Sequence, residues 1–156
     1  MNQWVHRIPV LALLVCLPIA LPTAGHAAEL ETEHECMALA LYWEARGEDD
    51  EGMTAVGWTI LNRVDSPDFP ATPCGVVYEG GEQPPCQFSW WCDGKSDRPR
   101  DDHHWMRARI IASSLLTSPS ADPTGGALFF HAAAYTVHWA ATRTHTVTIG
   151  NHHFYR

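Results

Sequence analysis

Four cysteines beyond residue 27 limit the possible folds more than any other feature: Cys36, Cys74, Cys86 and Cys92. An even number of cysteines in an exported protein indicates two disulfides, for which three pairings exist. We expect Cys86 to pair with Cys92 across the loop CQFSWWC, and Cys36 to pair with Cys74, which ties the first helix to a later segment. A cysteine zinc site is the alternative, but the sequence has no CxxC motif, and such a site would be unusual in an oxidising compartment.

The first 27 residues predict export. His6 and Arg7 precede an apolar run over residues 8–21, and small residues follow it as far as Ala27. This pattern is typical of a secretory signal peptide cleaved near Ala27, so we expect the protein in the periplasm, or in the cell wall and extracellular space. Because the run is shorter than the roughly 20 residues that span a bilayer, we expect no stable membrane insertion of the mature chain.

Cleavage there leaves about 129 of the 156 residues, which is enough for one domain and too few for two. We expect residues 28–35 to form a short polar linker and residues 36–156 to form one compact, monomeric domain. The formal net charge of −8 makes the protein a poor candidate for binding nucleic acid, because that requires clustered cations. A polymeric substrate would instead be held by hydrogen bonds and aromatic faces.

Two helical patterns follow one another early in this domain. Met37, Leu41 and Glu44 recur on one face of the first, so a carboxylate lies on an otherwise apolar stripe. Gly47 can end this helix in the left-handed conformation, and the aspartates at residues 49–50 can cap the second, which stops at the sequence DSPDFP. A joint of only a few residues predicts that the two helices are close neighbours.

The later part of the chain predicts loops, one more helix and then strands. Residues 65–100 are rich in Pro, Gly and Cys and predict loops, with at most short strands at residues 76–78 and 87–90. A third helix is expected from residue 101 or 102 to residues 118–119. ALFFH predicts a strand, and HTVTI and HHFY predict a terminal hairpin around a Gly-Asn turn. Helices first and strands last favour an α+β fold.

The position of Glu44 on an apolar helical stripe has two possible explanations. In the structural one, the stem is covered while the carboxylate pairs with Arg46 or Arg63. In the functional one, burial beside Tyr42 or a neighbouring tryptophan raises its pKa toward neutrality, so that it serves as a general acid. Spacing alone leaves both open.

The stretch ALALYWEARGEDDEGMTAVGWTILNRV resembles the signature of the SleB-type cell wall hydrolases, the family of the spore cortex-lytic enzymes. Four further blocks agree in order: FPATPCGVVYEG, CQFSWWCDG, GGALFFHAAA and IGNHHFYR. The resemblance covers essentially all of residues 36–156. It implies a small α+β domain related to lysozymes and lytic transglycosylases, acting on peptidoglycan glycan strands with Glu44 as the catalytic glutamate. We expect no cofactor and no metal.

The number of carboxylates decides which mechanism the resemblance implies. Glu48 looks at first like a second catalytic carboxylate, but we expect it to cap a helix or to pair with Arg46 or Arg63. A single acid/base suffices for a lytic transglycosylase, which breaks the bond between N-acetylmuramic acid (MurNAc) and N-acetylglucosamine (GlcNAc) and forms a 1,6-anhydro ring. A lysozyme-type muramidase, which normally uses two carboxylates, is the alternative.

Polar and aromatic side chains in the other blocks are candidates for substrate contact, and each has a purely structural explanation as well. Gln87 and Ser89 can hydrogen-bond sugar amide or hydroxyl groups, and Trp90 can stack on a pyranose face. Asn62 can hold Glu44 or a substrate amide. The other candidates for the cleft wall are Tyr42, His131, Tyr135, Trp139, His152 and Tyr155.

Two other functions remain open. The ten histidines suggest a zinc-dependent N-acetylmuramoyl-L-alanine amidase, although no HExxH or similarly compact motif is present. Its ligands would come from His103, His104, His131, His138, His145 and His152. A peptidoglycan-binding module without catalysis is the alternative from another class. The intact sequence context of Glu44 favours a glycan-cleaving enzyme over both.

Overall fold

The computed structural model describes the backbone of residues 24–156 and the side chains of residues 32–156. Most of the expected signal peptide, residues 1–23, lies outside the described residues. Within the described part, no helix combines the length and the apolar character needed to cross a bilayer.

The described chain has its helices first and its strands last, as the α+β prediction requires. In chain order, the elements are α1 (Ala24–Ala45), α2 (Asp50–Val64), α3 (Pro73–Val77), a 3-10 helix (Ser89–Cys92), α4 (Asp102–Thr117), β1 (Phe129–Ala132), a second 3-10 helix (His138–Thr142), β2 (His145–Ile149) and β3 (His152–Tyr155).

Helix α1 begins earlier than the pattern predicts, because residues 28–35, expected to form a linker, are helical. This segment packs against the domain through polar contacts that the sequence does not reveal. The Glu33 carboxylate accepts a hydrogen bond from the Cys74 backbone N–H at 2.7 Å, and the His34 ring lies 2.8 Å from the Arg109 carbonyl oxygen. The disulfide between Cys36 and Cys74 then fixes α1 to α3.

Helices α2 and α4 begin where the sequence predicts. Asp49 caps α2 and Asp101 caps α4, and each carboxylate accepts a hydrogen bond from a backbone N–H three residues further on, at 2.8 and 2.9 Å. The two helices approach closely at Gly57, where a Cβ would collide with Leu115. The end of α1 does not follow the prediction, since Gly47 is not among the glycines with a positive φ.

The predicted short strands at residues 76–78 and 87–90 are wrong, because both regions contain helical turns. Thr72 caps α3 by accepting a hydrogen bond from Gly75 at 3.0 Å, and Pro73 occupies its first position. The loop closed by Cys86 and Cys92 forms a 3-10 helix. Short apolar runs do not distinguish a strand from a helical turn, which explains the error.

The sheet is antiparallel in the order β1-β3-β2, with β3 in the centre. The predicted hairpin is confirmed, and its turn contains Gly150 with φ +55°. Phe154 on β3 is fully buried and lies opposite Phe130 on β1. Strands β1 and β2 both contact α2, so one core joins the sheet to the helices.

Candidate active site

Glu44 lies in the last turn of α1 and faces a cleft of about 540 Å³. The helices, the disulfide loop and the sheet all contribute walls to it. Of the residues predicted from the sequence, the cleft is lined by Glu44, Arg63, Gln87, Ser89, His131, Tyr135, Trp139 and His152. The apolar side chains of Phe130 and Val137 also line it; Phe130 belongs to the aromatic residues of the matching block GGALFFHAAA, whereas Val137 was missed.

The Glu44 carboxyl is poised for proton transfer near neutral pH. Burial raises its pKa from 4.5 to about 7, against weaker opposing effects of the Arg63 guanidinium and the Trp90 indole. The Trp90 Nε1 is buried and forms no hydrogen bond of ordinary length with any described residue, so its effect on the carboxyl acts at longer range. A carboxyl with this pKa can both donate and accept a proton at neutral pH.

Arg63 supplies a buried positive charge to the same cleft. Its side chain is fixed by a hydrogen bond from Nε to the Leu128 carbonyl oxygen at 2.7 Å. With the Gln87 amide oriented by its hydrogen bonds, the amide oxygen lies 3.0 and 3.2 Å from the two Nη atoms. Burial lowers the pKa of Arg63 to about 10, while the charges of Glu79 and Glu44 oppose that shift. The guanidinium therefore stays charged at neutral pH.

Aromatic residues build the wall formed by the C-terminal part of the chain. The His131 Nε2 lies 3.1 Å from the Tyr155 hydroxyl, and the two rings stack with centroids 5.4 Å apart. Trp139 meets the His131 ring edge-on, and Tyr135 is 71% exposed at the rim. Tyr155, predicted to touch substrate, is 9% exposed and supports His131 from behind instead. Tyr155 is not available to substrate because the rings of Trp139 and His145 cover its phenol ring.

Two other predicted substrate contacts have structural roles. Tyr42 is fully buried, and its hydroxyl accepts hydrogen bonds from the backbone N–H groups of Arg100 and Asp101 at 3.1 and 3.2 Å. It therefore holds the start of α4. The Asn62 amide donates to Asp122, Thr124 and Ala127 at 3.1 to 3.3 Å, which organises the turn before β1.

Trp90 and Arg46 also lie outside the cleft lining. Trp90 is only 7% exposed, packs against Phe88 and lines a separate, smaller pocket beside Trp43. Arg46 is exposed, and its guanidinium stacks over the rings of Tyr42 and Trp43 at 5.3 and 5.0 Å. Trp90 therefore does not face the Glu44 cleft, and the Arg46 guanidinium contacts aromatic rings in place of the predicted carboxylates.

Glu48 has different partners from those predicted. Its carboxylate accepts hydrogen bonds from the backbone N–H of Asn151 at 2.9 Å and from the Asn151 side chain at 3.2 Å. The His152 Nδ1 lies 3.7 Å away. The expected pairing with Arg46 or Arg63 is therefore wrong. Helix α1 ends three residues before Glu48, so this side chain no longer follows the helical stripe of Glu44.

Among side chains 32–156, a single group brings three candidate metal ligands close together, and it consists of Asp101, His103 and His104 at the start of α4. Within it, the Asp101 carboxylate already caps the helix and lies 2.9 Å from the His104 Nδ1. The cleft histidines His131 and His152 belong to no such group in this part of the chain. The zinc ligand set suggested by the histidine count is therefore not assembled at the cleft.

Comparison with known proteins identifies the family. The sequence model of the family described as Cell Wall Hydrolase matches residues 47–155. This chain belongs to the cell wall hydrolase family. It is 35% identical over 125 residues to a spore cortex-lytic enzyme of Halalkalibacterium halodurans, covering 80% of this chain and 34% of the relative. A spore cortex-lytic enzyme of Oceanobacillus iheyensis is 36% identical over 125 residues, covering 80% and 41%.

The chain thus spans only about a third to two fifths of the length of these curated relatives. Solved catalytic domains match more completely. The catalytic domain of the Bacillus cereus SleB protein superposes with a TM-score of 0.61 at 32% identity, covering 81% of this chain and 91% of that domain. The catalytic domain of the germination-specific lytic transglycosylase SleB from Bacillus anthracis gives a TM-score of 0.66 at 30% identity, covering 90% and 100%. The predicted family and the α+β fold are both confirmed.

Proposed function

We propose that this cell wall hydrolase cleaves the MurNAc–GlcNAc bond of peptidoglycan as a lytic transglycosylase, with Glu44 as its single acid/base. One observation carries this proposal: among the described residues that line the cleft, Glu44 is the sole carboxylate. Glycosidases that use water normally need a second carboxylate, at about 5 to 5.5 Å for retention or about 6.5 to 9.5 Å for inversion. A reaction in which the substrate supplies its own nucleophile needs only one.

The proposed reaction uses both protonation states of Glu44. The protonated carboxyl donates its proton to the glycosidic oxygen as the bond from that oxygen to MurNAc C1 breaks. The resulting carboxylate, stabilised by Arg63, then takes the proton of the MurNAc C6 hydroxyl as O6 bonds to C1. The products are a GlcNAc hydroxyl and a 1,6-anhydro ring, and no water is consumed. A pKa of about 7 suits both steps at neutral pH.

Substrate recognition in this proposal comes from the other residues lining the cleft. Gln87 and Ser89 offer hydrogen bonds to sugar groups, and the rings of Tyr135 and Trp139 offer faces for pyranose contact. His131 and His152 complete the polar wall. The Bacillus anthracis neighbour is a lytic transglycosylase, which supports the same reaction for this chain. The match of the family sequence model begins three residues after Glu44, so the role of this residue rests mainly on its position and pKa.

The test is Glu44→Gln, which keeps the shape of the side chain and removes its titrating proton. We expect purified peptidoglycan to be cleared at least about 100-fold more slowly by the variant, because general acid catalysis contributes roughly that much or more. The exposed Glu51 provides a matched control, Glu51→Gln, that should retain full activity. Wild-type activity in Glu44→Gln would contradict the assignment.

Mass spectrometry of the digested glycan distinguishes the reactions. Anhydromuramyl ends support the transglycosylase, whereas free reducing ends would indicate a lysozyme-type muramidase. Released stem peptides would indicate an amidase, and binding without any product would indicate a wall-binding module. Each of the last three outcomes would overturn the proposed reaction.

We also propose that residues 1–27 direct export and that residues 36–156 act as one monomeric catalytic domain. The net charge of −8 and the single core joining helices and sheet are compatible with this organisation. Amino-terminal sequencing of the exported protein should give a start near residue 28, and light scattering should give the mass of a monomer. A start at residue 1 or the mass of a dimer would contradict these two proposals.

A further inference from the structure

Glu48 is a buried carboxylate that the proposed reaction does not use. Its side chain is 8% exposed, although it follows the end of α1 in an otherwise open turn. Both carboxylate oxygens are engaged by Asn151, one by the backbone N–H and the other by the side-chain amide. These bonds tie the joint between α1 and α2 to the turn between β2 and β3, 103 residues later.

The chain leaves room for this carboxylate at two glycines. Gly150 has φ +55°, and a Cβ there would collide with the Glu48 Oε2. A Cβ at Gly52 would lie 2.8 Å from the Glu48 Cβ. Since backbone approaches the side chain from both directions, the carboxylate has little freedom to move.

His152, which follows Asn151 in the chain, lies between the Glu48 carboxylate and the cleft. Its side chain is 7% exposed, its ring meets Phe130 edge-on at 5.4 Å, and it lines the same cleft as Glu44. The Nδ1 atom is buried and forms no hydrogen bond to any described residue; its nearest charged neighbour is the Glu48 Oε1, 3.7 Å away. The Nε2 atom, by contrast, is not buried without a partner, and since His152 lines the cleft we infer that Nε2 faces it.

Several groups from neighbouring elements act on the His152 ring. Burial lowers its pKa below 6.5, and the nearby rings of His131 on β1 and His153 on β3 act in the same direction. The Glu48 charge opposes them. The ring is therefore neutral at neutral pH, and a neutral imidazole carries one N–H and one lone pair. Which nitrogen keeps the hydrogen is set by the partner of the other.

We propose that Glu48 is a positioning residue that holds the neutral His152 ring with its Nδ1–H toward the carboxylate, so that Nε2 presents a lone pair to the cleft. There Nε2 accepts a hydrogen bond from an acetamido N–H of the bound sugar, a group that can only donate. This inference rests on the proposed function, because the sugar comes from that proposal. The position of the imidazole hydrogen, however, is a property of the free protein and is measured without substrate.

The first experiment reads the imidazole nitrogens of His152 in the whole protein by ¹⁵N NMR at neutral pH. Wild-type protein should show a protonated Nδ1 and an unprotonated Nε2. Finding the hydrogen on Nε2, or on both nitrogens, would overturn the proposal whether or not the protein cleaves peptidoglycan. This measurement needs no variant, so it stands even if changes at Glu48 prevent folding.

The variant Glu48→Gln sharpens the same measurement. Its side-chain oxygen can still accept from the Asn151 backbone N–H, which places the NH₂ group where the Glu48 Oε1 lies and requires the Asn151 amide to turn its oxygen toward that group. That group would donate to Nδ1, and the hydrogen of His152 should move to Nε2. The exposed control Glu51→Gln should leave the tautomer unchanged. An unchanged tautomer in a folded Glu48→Gln would contradict the positioning role.

The second experiment tests the contact with sugar by titrating a GlcNAc–MurNAc oligosaccharide into Glu44→Gln, which leaves the ligand intact. The ¹⁵N signal of the His152 Nε2 should shift with saturation as a hydrogen bond forms. The double variant Glu44→Gln/Glu48→Gln should bind roughly tenfold more weakly, the usual scale for one mismatched buried hydrogen bond. Equal affinity in the two proteins, or binding without any shift at Nε2, would overturn the contact.

Discussion

Glu44 and Glu48 are only four residues apart in sequence, yet among the residues that the structure describes one carboxyl group lacks hydrogen-bond partners and the other has both oxygens hydrogen-bonded. Glu44 faces an open cleft with no hydrogen bond of ordinary length among the described residues, and its burial raises its pKa to about 7. Glu48 has both oxygens engaged by Asn151 and contributes nothing to the lining of the cleft. A carboxylate left unpaired can take part in proton transfer, whereas a fully paired one holds two parts of the fold together.

The difference also shows why counting carboxylates in a sequence can mislead. Glu44 is placed by the periodicity of α1, which keeps it on the inner face of the helix. Glu48 is placed by a turn and by a partner 103 residues away. Two acids in one motif therefore have separate roles, one for the proposed chemistry and one for the geometry of the cleft wall.

The largest expected effect on stability comes from truncating the paired carboxylate. Glu48→Ala should lower the free energy of unfolding by about 3 kcal/mol, because it leaves two donors of Asn151 without their charged acceptor in a nearly closed site. Urea denaturation measures this change, with Glu51→Ala as the exposed control expected to stay within about 0.5 kcal/mol of wild type. If Glu48→Ala lost no more free energy of unfolding than Glu51→Ala, Glu48 would not hold the fold together and its contrast with Glu44 would be wrong.

Glu44, in contrast to Glu48, should destabilise the folded protein, and only at pH values where its carboxyl group loses its proton. The folded pKa of Glu44, about 7, lies above its ordinary value of 4.5, so its protonated form favours folding. Its contribution is fully present below about pH 4.5 and is lost as the pH rises through about 7. Glu44→Gln should therefore gain about 2 kcal/mol relative to wild type between pH 4.5 and pH 8. Parallel stability curves for the two proteins would show that the pKa is not raised.

The backbone that seats Glu48 should be more sensitive than a comparable turn elsewhere. Gly150→Ala combines a positive φ with a collision against Glu48 and should cost about 2 kcal/mol. Gly125 has a similar φ of +66°, but its nearest neighbour would lie 3.9 Å from the new Cβ. Gly125→Ala should therefore cost only about 1 kcal/mol by thermal or urea unfolding. Equal losses would mean that the carboxylate moves aside easily.

The smallest expected effect is a shift in the pKa of Glu44 when the positive charge of Arg63 is removed. Arg63→Gln removes a cation that lowers the pKa of Glu44, so that pKa should rise by about one unit. The alkaline limit of peptidoglycan clearing should move upward with it in a pH–rate profile, even if the overall rate falls. Arg46→Gln is the control, because Arg46 is exposed and stacks on Tyr42 and Trp43. If the alkaline limit of the pH–rate profile did not change in Arg63→Gln, or shifted equally in Arg46→Gln, the Arg63 charge would not be what lowers the pKa of Glu44.

Local patterns in the sequence determined much of this protein. The helix starts at Asp49 and Asp101, the terminal hairpin and the placement of Glu44 on an apolar stripe all follow from rules that act over a few residues. The sequence left three disulfide pairings open, and the favoured one is present in the structure. Matching blocks along the chain were enough to identify the family.

Tertiary packing decided the rest. Residues 28–35 are helical, and Glu33 and His34 in that segment find partners on α3 and α4, which no local pattern encodes. Tyr42 and Asn62 became internal supports, because buried backbone groups far along the chain needed hydrogen-bond partners. Glu48 met Asn151 for the same reason. Short-range periodicity fixes which side of an element a residue occupies, but only the packed fold decides what it meets there.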